Sequence, residues 1–143
     1  MLEAENTISI NRPLHEVFAF VADKENDPRW RSNVREIERI SGDGTVGTRY
    51  HQVMATHRGE MDSDVEITGY EPGRRLTFRT LAGRIQPEGS FDFADESGGT
   101  RLTFKLWAEL PGAKKLMAPK AAKSMKGEVE DSLDRLKQIL ETG

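Results

Sequence analysis

The sequence predicts an α+β fold: a curved antiparallel sheet of about seven strands wrapped around one long C-terminal helix, with two short helices after the first strand. Three observations predict it. Period-two alternation of apolar and polar residues opens the chain and then runs from Val34 to about Leu110, broken only by short turn-rich segments. A helical period occurs twice, briefly after Asn11-Arg12-Pro13 and at length after Pro111-Gly112. Strands joined by hairpin turns are antiparallel neighbours, and a sheet that wide twists and coils. The long amphipathic helix is then the element that covers its concave face.

In residues 2–10, Leu2, Ala4, Ile8 and Ile10 share one face, while Glu3, Glu5, Thr7 and Ser9 share the other. That is a half-buried strand. Asn11 is read as the cap of a first helix, with Pro13 in its first turn and Leu14, Val17, Phe18 and Val21 at helical spacing. The turn-rich run Asp23-Lys24-Glu25-Asn26-Asp27-Pro28 delivers Trp30 on a second short helix. Strands follow near 34–41, 47–56, 61–71, 75–82, 86–94 and 101–110. Their turns are Ser41-Gly42-Asp43-Gly44, His57-Arg58-Gly59-Glu60, Glu71-Pro72-Gly73-Arg74, Ala82-Gly83-Arg84 and Glu96-Ser97-Gly98-Gly99. Parity turns inward Tyr50, Gln52, Met54, Met61, Val65, Ile67, Leu76, Phe78, Thr80, Phe91, Phe93, Leu102, Phe104, Leu106 and Ala108. The last element is a helix of about thirty residues, with Met125, Val129, Ser132, Leu133, Leu136 and Leu140 as its apolar stripe.

The 143 residues fit one domain, 1–143. A net charge of −3, from 21 basic and 24 acidic residues, disfavours a general nucleic-acid binder. With no cysteine, disulfide scaffolds, thiol catalysis and cysteine-ligated metal are excluded. The start is acidic and lacks an apolar leader, and no apolar run nears the ~20 residues that cross a bilayer. A soluble, cytoplasmic protein is the expectation.

Gly42-Asp43-Gly44-Thr45-Val46-Gly47 matches the dinucleotide pattern G-x-G-x-x-G, but a strand follows it where a phosphate-binding helix would have to begin. It is read as a hairpin. His15, His51 and His57 fall on a polar helix side, an outward strand position and a turn, so neither metal nor cofactor is expected. Asp62, Asp64 and Glu66 form an acidic row on the outer face, with Arg79 and Lys105 as cross-strand partners. No G-x-S-x-G elbow or Ser-His-Asp arrangement is present.

The inward set is aromatic and sulfur-bearing, and the crossing helix carries Ala118, Ala121, Ala122, Ser124 and Gly127, small residues that leave room. A glycine in a helix interior costs ~1 kcal/mol against alanine. An internal apolar cavity is therefore expected, lined by Trp30, Tyr50, Met54, Phe78, Phe91 and Phe104. Gln52, Met61, Thr80, Phe93, Met117 and Met125 complete the ligand-binding set. Tyr50 and Gln52 supply its polar groups, and Tyr50 is the one candidate proton donor; parity brings no Arg, His, Asp or Glu inside. Residues 113–126 hold Lys114, Lys115, Lys120, Lys123 and Lys126 without an acid, against the preference of the helix dipole. The first four of these are expected at the cavity entrance, where they could meet an anionic head group or an anionic membrane.

The residues Ile8-Ser9-Ile10-Asn11-Arg12-Pro13, Glu16-Val17-Phe18, Asp23, Trp30, Val46-Gly47-Thr48-Arg49-Tyr50, Tyr70-Glu71-Pro72-Gly73-Arg74-Arg75-Leu76, Gly99-Thr100-Arg101-Leu102 and Leu136-Lys137-Gln138-Ile139-Leu140-Glu141 carry a resemblance. They resemble the START-like, or helix-grip, superfamily in its bacterial polyketide cyclase/dehydrase and lipid-transport (SRPBCC) branch, over essentially the whole chain. The resemblance implies a cavity between sheet and long helix. Its members range over polyketide cyclases, lipid and quinone carriers, hormone and allergen-type binders, and co-chaperone domains. The leading expectation is binding of a hydrophobic, aromatic or lipid-like small molecule. The alternatives are a cyclase/aromatase-type enzyme and a co-chaperone or partner-regulating module.

Overall fold

The computed structural model describes residues 1–56, 58–81, 83, 85–112, 116 and 118–142. Strand β1 spans Leu2–Ile10 and is followed by helix α1, Leu14–Ala22, a single 3-10 turn, Lys24–Asn26, and the short helix α2, Asp27–Trp30. Six strands follow: β2 Val34–Ser41, β3 Arg49–Thr56, β4 Gly59–Glu71, β5 Arg75–Leu81, β6 Glu88–Glu96 and β7 Gly99–Ala108. Helix α3, Ala118–Thr142, closes the fold. The seven strands form one antiparallel sheet in the order β1-β7-β6-β5-β4-β3-β2, so every neighbour except the β1–β7 pair is a hairpin partner.

All the inward residues assigned by parity are buried except Met54, half-buried, and Met61, exposed. Slipping any strand by one residue would turn its apolar set to water, which is what holds the register. The short helices differ from expectation at their start. Pro13 rather than Asn11 occupies the cap position, without a side-chain cap bond, and the Asn11 N–H instead donates to Glu141 Oε2 at 2.7 Å. The Gly42 to Gly47 segment is a turn between β2 and β3, as its sequence context requires. Gly42 has φ +91°, and a Cβ there would press on Thr48 Oγ1 at 2.5 Å. That hydroxyl accepts from the Gly44 N–H at 2.8 Å.

Helix α3 lies mainly along β1, and only its C-terminal half is packed down. Val129, Ser132, Leu133 and Leu136 are buried, whereas no described residue of 118–128 is. Three polar contacts pin that same half: Ser132 Oγ accepts from the Ser32 N–H at 3.1 Å, Lys137 Nζ donates to the Ser9 carbonyl at 2.6 Å, and Glu141 takes the Asn11 N–H.

The outer face of the sheet corrects the expected pairing of the acidic row. Arg79 stands across from Glu66 in the register but reaches Glu88 at 3.7 Å, and Lys105 reaches Glu3 at 3.7 Å. Glu66 is taken by Arg49 at 3.1 Å, and His51 lies between Asp64 at 2.9 Å and Asp62 at 3.3 Å. Those bonds, Asp64 first, raise the His51 pKa above its ordinary 6.5. A raised value means that the charged imidazole is favoured by folding. Its stabilisation is full below pH 6.5 and is lost as pH rises through the folded value. An NMR titration should place the folded His51 above 6.5, and Asp64→Asn should bring it down; an unchanged titration in that variant would contradict the pairing.

Candidate functional site: a cavity beneath the loosely packed half of the long helix

A cavity of ≈ 520 Å³ lies where the sheet curves away from the N-terminal half of α3. Its wall is mostly apolar: Met54 and Met61 from β3 and β4, Phe78 from β5, Leu106 from β7, Met125 from α3, and Ile85 and Pro87 from the segment between β5 and β6. Ser63 and Thr80 add hydroxyls, and Arg31, Asn33 and Glu128 form its charged and amide side. Thr56 and Met61 are exposed and mark where it opens to solvent. An apolar chamber with a few convergent polar groups is the usual form of a small-molecule site.

Among the residues expected at the site, Met54, Met61, Phe78, Thr80 and Met125 stand on this wall. Trp30, Phe91 and Phe104 do not, which corrects the expected lining. They pack against one another within the core in tilted and edge-on contacts, with ring centroids 4.6 Å apart for Phe91–Phe104, 5.6 Å for Trp30–Phe91 and 6.2 Å for Trp30–Phe104. Phe93 is buried edge-on against Phe18 at 5.0 Å. Parity is silent on depth: these rings sit under α1, α2 and the packed half of α3, where the inner face is filled. Gln52 is buried and donates to Ser63 Oγ at 3.2 Å, one layer behind the wall. Tyr50 borders a separate polar hollow with Asp23, Arg39 and Asp43. Burial first, and the charge of Asp23 next, push its phenol up to about 12, so it stays protonated at neutral pH. Met117, Lys114, Lys115 and His57 lie outside the described residues, and Lys120 and Lys123 are exposed on the first turns of α3. A Cβ at Gly127 would meet nothing within 4 Å, so the space beside it is open.

The expectation of a cavity without charge is overturned. Arg31, 5% exposed, pairs with the Glu128 carboxylate, 16% exposed, bridging the end of α2 to α3 on the cavity wall. Behind it Asp27 takes Lys24 at 2.8 Å, with Arg31 at 4.0 Å, and both Lys24 and Asp27 are 1% exposed. Burial lowers the Lys24 pKa, and Asp27 opposes that shift. The two cations rest on the aromatic core. Lys24 Nζ lies 4.3 Å from the Phe78 ring centre, and the Arg31 guanidinium lies 5.1 Å from Phe104 and 5.6 Å from Phe78. Contacts of this kind offset part of the desolvation cost. Alternation could not find this set, because Lys24, Asp27 and Arg31 come from a turn-rich segment with no period. Glu128 was findable: it stands three residues after Met125 and four before Ser132, on the inner stripe of α3.

Phe78 holds its place because of a glycine. Gly89 faces it across β5 and β6, and a Cβ at Gly89 would collide with the Phe78 ring and come within 3.0 Å of Leu106. Among the described residues, no group of three His, Cys, Asp or Glu is placed to hold a metal ion, and no helix is long and apolar enough to cross a membrane.

A curved seven-stranded sheet gripping one helix, with an apolar cavity between them, defines the chain as a helix-grip domain of the SRPBCC class. Its sequence matches the polyketide cyclase / dehydrase and lipid transport family over residues 1–141, and the chain belongs to that family. TTHA0849 from Thermus thermophilus has the same fold at TM-score 0.82 and 23% identity, covering 96% of each chain. DR_A0006 from Deinococcus radiodurans follows at TM-score 0.73 and 22% identity, covering 99% of this chain and 98% of that one. The di-domain ARO/CYC BexL, from the BE-7585A biosynthetic pathway, aligns at TM-score 0.79 and 15% identity, over 96% of this chain and 46% of its own. At these identities the likeness is one of fold. Among curated proteins none matches the sequence.

We expect Gly89→Val to drive the Phe78 ring toward the cavity and to cost about 1–3 kcal/mol of stability, as overpacking of a filled layer does. Urea unfolding checks it, and a variant as stable as the parent would contradict the packing described.

Proposed function

We propose that this chain is a cytoplasmic binding protein for a hydrophobic, aromatic or lipid-like small molecule, held in the cavity between β3–β5 and the N-terminal half of α3. The observation that carries the reading is that half-helix. Its inner side meets open volume where the other half meets Val129, Leu133 and Leu136 packed into the core. A wall of three methionines with Phe78 and Leu106 suits a ligand of irregular apolar shape, because thioethers adapt to what they touch. The mechanism is burial of apolar ligand area, at roughly 25 cal/mol per Å² removed from water, before the costs of association. Family membership supports the same reading.

A cyclase-type enzyme is the second reading. One observation favours it: Arg31 and Glu128 on the wall are a cation that could polarise a carbonyl and a carboxylate that could move a proton. Turnover of a poly-ketone by the purified chain would put that reading first. The lysine run remains a proposed contact for anionic surfaces through Lys120 and Lys123, both exposed on α3, together with Lys114 and Lys115 of the preceding sequence.

The neutral fluorescent naphthylamine N-phenyl-1-naphthylamine tests the leading reading. It should bind the parent protein saturably, and Met54→Trp, which fills the chamber from β3, should weaken binding about tenfold or more. Equal binding to both proteins would place the probe elsewhere and defeat the proposal.

A further inference from the structure

We propose that the cavity selects a monoanion, an apolar and preferably aromatic body carrying one carboxylate or sulfonate, and that Glu128 occupies the place of that acidic group until the ligand displaces it. The inference rests on the reading of the cavity as a binding site and adds the ligand's charge to it.

The argument begins with Arg31. A guanidinium offers five donors in a rigid fork and stays charged in any protein. Here one edge faces Glu128, and Asp27 is 4.0 Å away, while Nε is buried with no hydrogen-bond partner. The guanidinium is fixed in place by Phe104 and Phe78 beneath it. A buried cation with unused donors, on the wall of an apolar chamber, is matched by a planar two-oxygen acid. The Asn33 side-chain oxygen beside it on the same wall is also buried without a partner, so a ligand bearing a hydroxyl or amide hydrogen next to its acid would satisfy both groups.

The partners of Arg31 differ in their ability to leave. Asp27 is 1% exposed and holds Lys24 at 2.8 Å, a pair that neutralises itself. Glu128 is 16% exposed and stands on α3 just before the helix becomes buried at Val129. Swinging outward returns its carboxylate to water, whereas Arg31 cannot follow. With Glu128 gone, the Lys24–Asp27 pair is neutral as a pair whichever of the two holds the proton between them, so Arg31 leaves one net positive charge, which one anion cancels. A neutral ligand would have to leave the Arg31–Glu128 pair in place and use the apolar wall alone. A dianion would bury one charge uncompensated, which is costly.

The test uses two probes with the same aromatic skeleton, 8-anilino-1-naphthalenesulfonate and N-phenyl-1-naphthylamine, which differ by the sulfonate. The readout is the ratio of their affinities, with thermal unfolding recorded to confirm that each variant is folded. In the parent protein the anionic probe should bind about tenfold tighter than the neutral one, the order expected of a charge-assisted bond. Glu128→Gln removes the internal competitor and should raise that ratio about tenfold. Arg31→Gln should abolish the preference. Should Arg31→Gln fail to fold, Glu128→Gln decides alone. A ratio unchanged in Glu128→Gln, or a parent protein that prefers the neutral probe, overturns the anion reading and leaves the binding reading standing. Failure of both probes to bind the parent defeats both readings.

Discussion

The structure depends on one asymmetry, the unequal packing of α3. A helix of 25 residues lies across a sheet that curves, and its apolar stripe is fully buried only from Val129 onward, Met125 being half-buried against the core. Burying Val129, Leu133 and Leu136 beside β1 anchors the element. Truncating such a leucine to alanine typically costs about 2–5 kcal/mol. Lys137 and Glu141 then tie the C-terminal turns to the end of β1. Nothing comparable holds residues 118–127 among those described. The hollow under them is the geometric remainder of a curved sheet meeting a straight helix.

That remainder stays open because its floor is already complete. Trp30, Phe91 and Phe104 fill the deep layer with tilted and edge-on ring contacts, and Gly89 lets Phe78 lie flat enough to end that layer cleanly. The rings also present their faces to Lys24 and Arg31, so one aromatic cluster closes the core and supports the charges at the cavity edge. Buried ion pairs add little net stability against well-packed apolar substitutes, and breaking one by deleting a partner costs about 3–5 kcal/mol. A set of four charges beside a chamber is therefore better explained by what the chamber holds than by the stability of the fold.

The sheet was legible because period two is a strong signal when one face is wet. The turn at Gly42 to Gly47 and the inward run from Tyr50 to Met54 follow from turn chemistry and alternation, and the long helix from its helical period. The site was legible only in part. Met54, Met61, Phe78 and Thr80 were reachable by parity and Met125 by its helical stripe, yet parity assigns a face and not a depth, so it could not separate Phe78 at the wall from Phe91 beneath it. Arg31 was out of reach, since it caps the end of α2, a helix of four residues that offers no repeat from which to read a side-chain direction. Glu128 carried a signal in its helical phase, but a carboxylate on an apolar stripe reads as an interruption until its partner is known.

Hydrogen exchange along α3 tests the central claim most directly. Protection reports local opening, which is small where backbone is covered by packed side chains and large where it is not. The account predicts amides of residues 130–140 among the slowest in the molecule and those of 122–127 exchanging at least about a hundredfold faster. Uniform protection over the whole helix would contradict it, because a roof held as firmly as its anchor would leave no half of α3 set aside for the cavity.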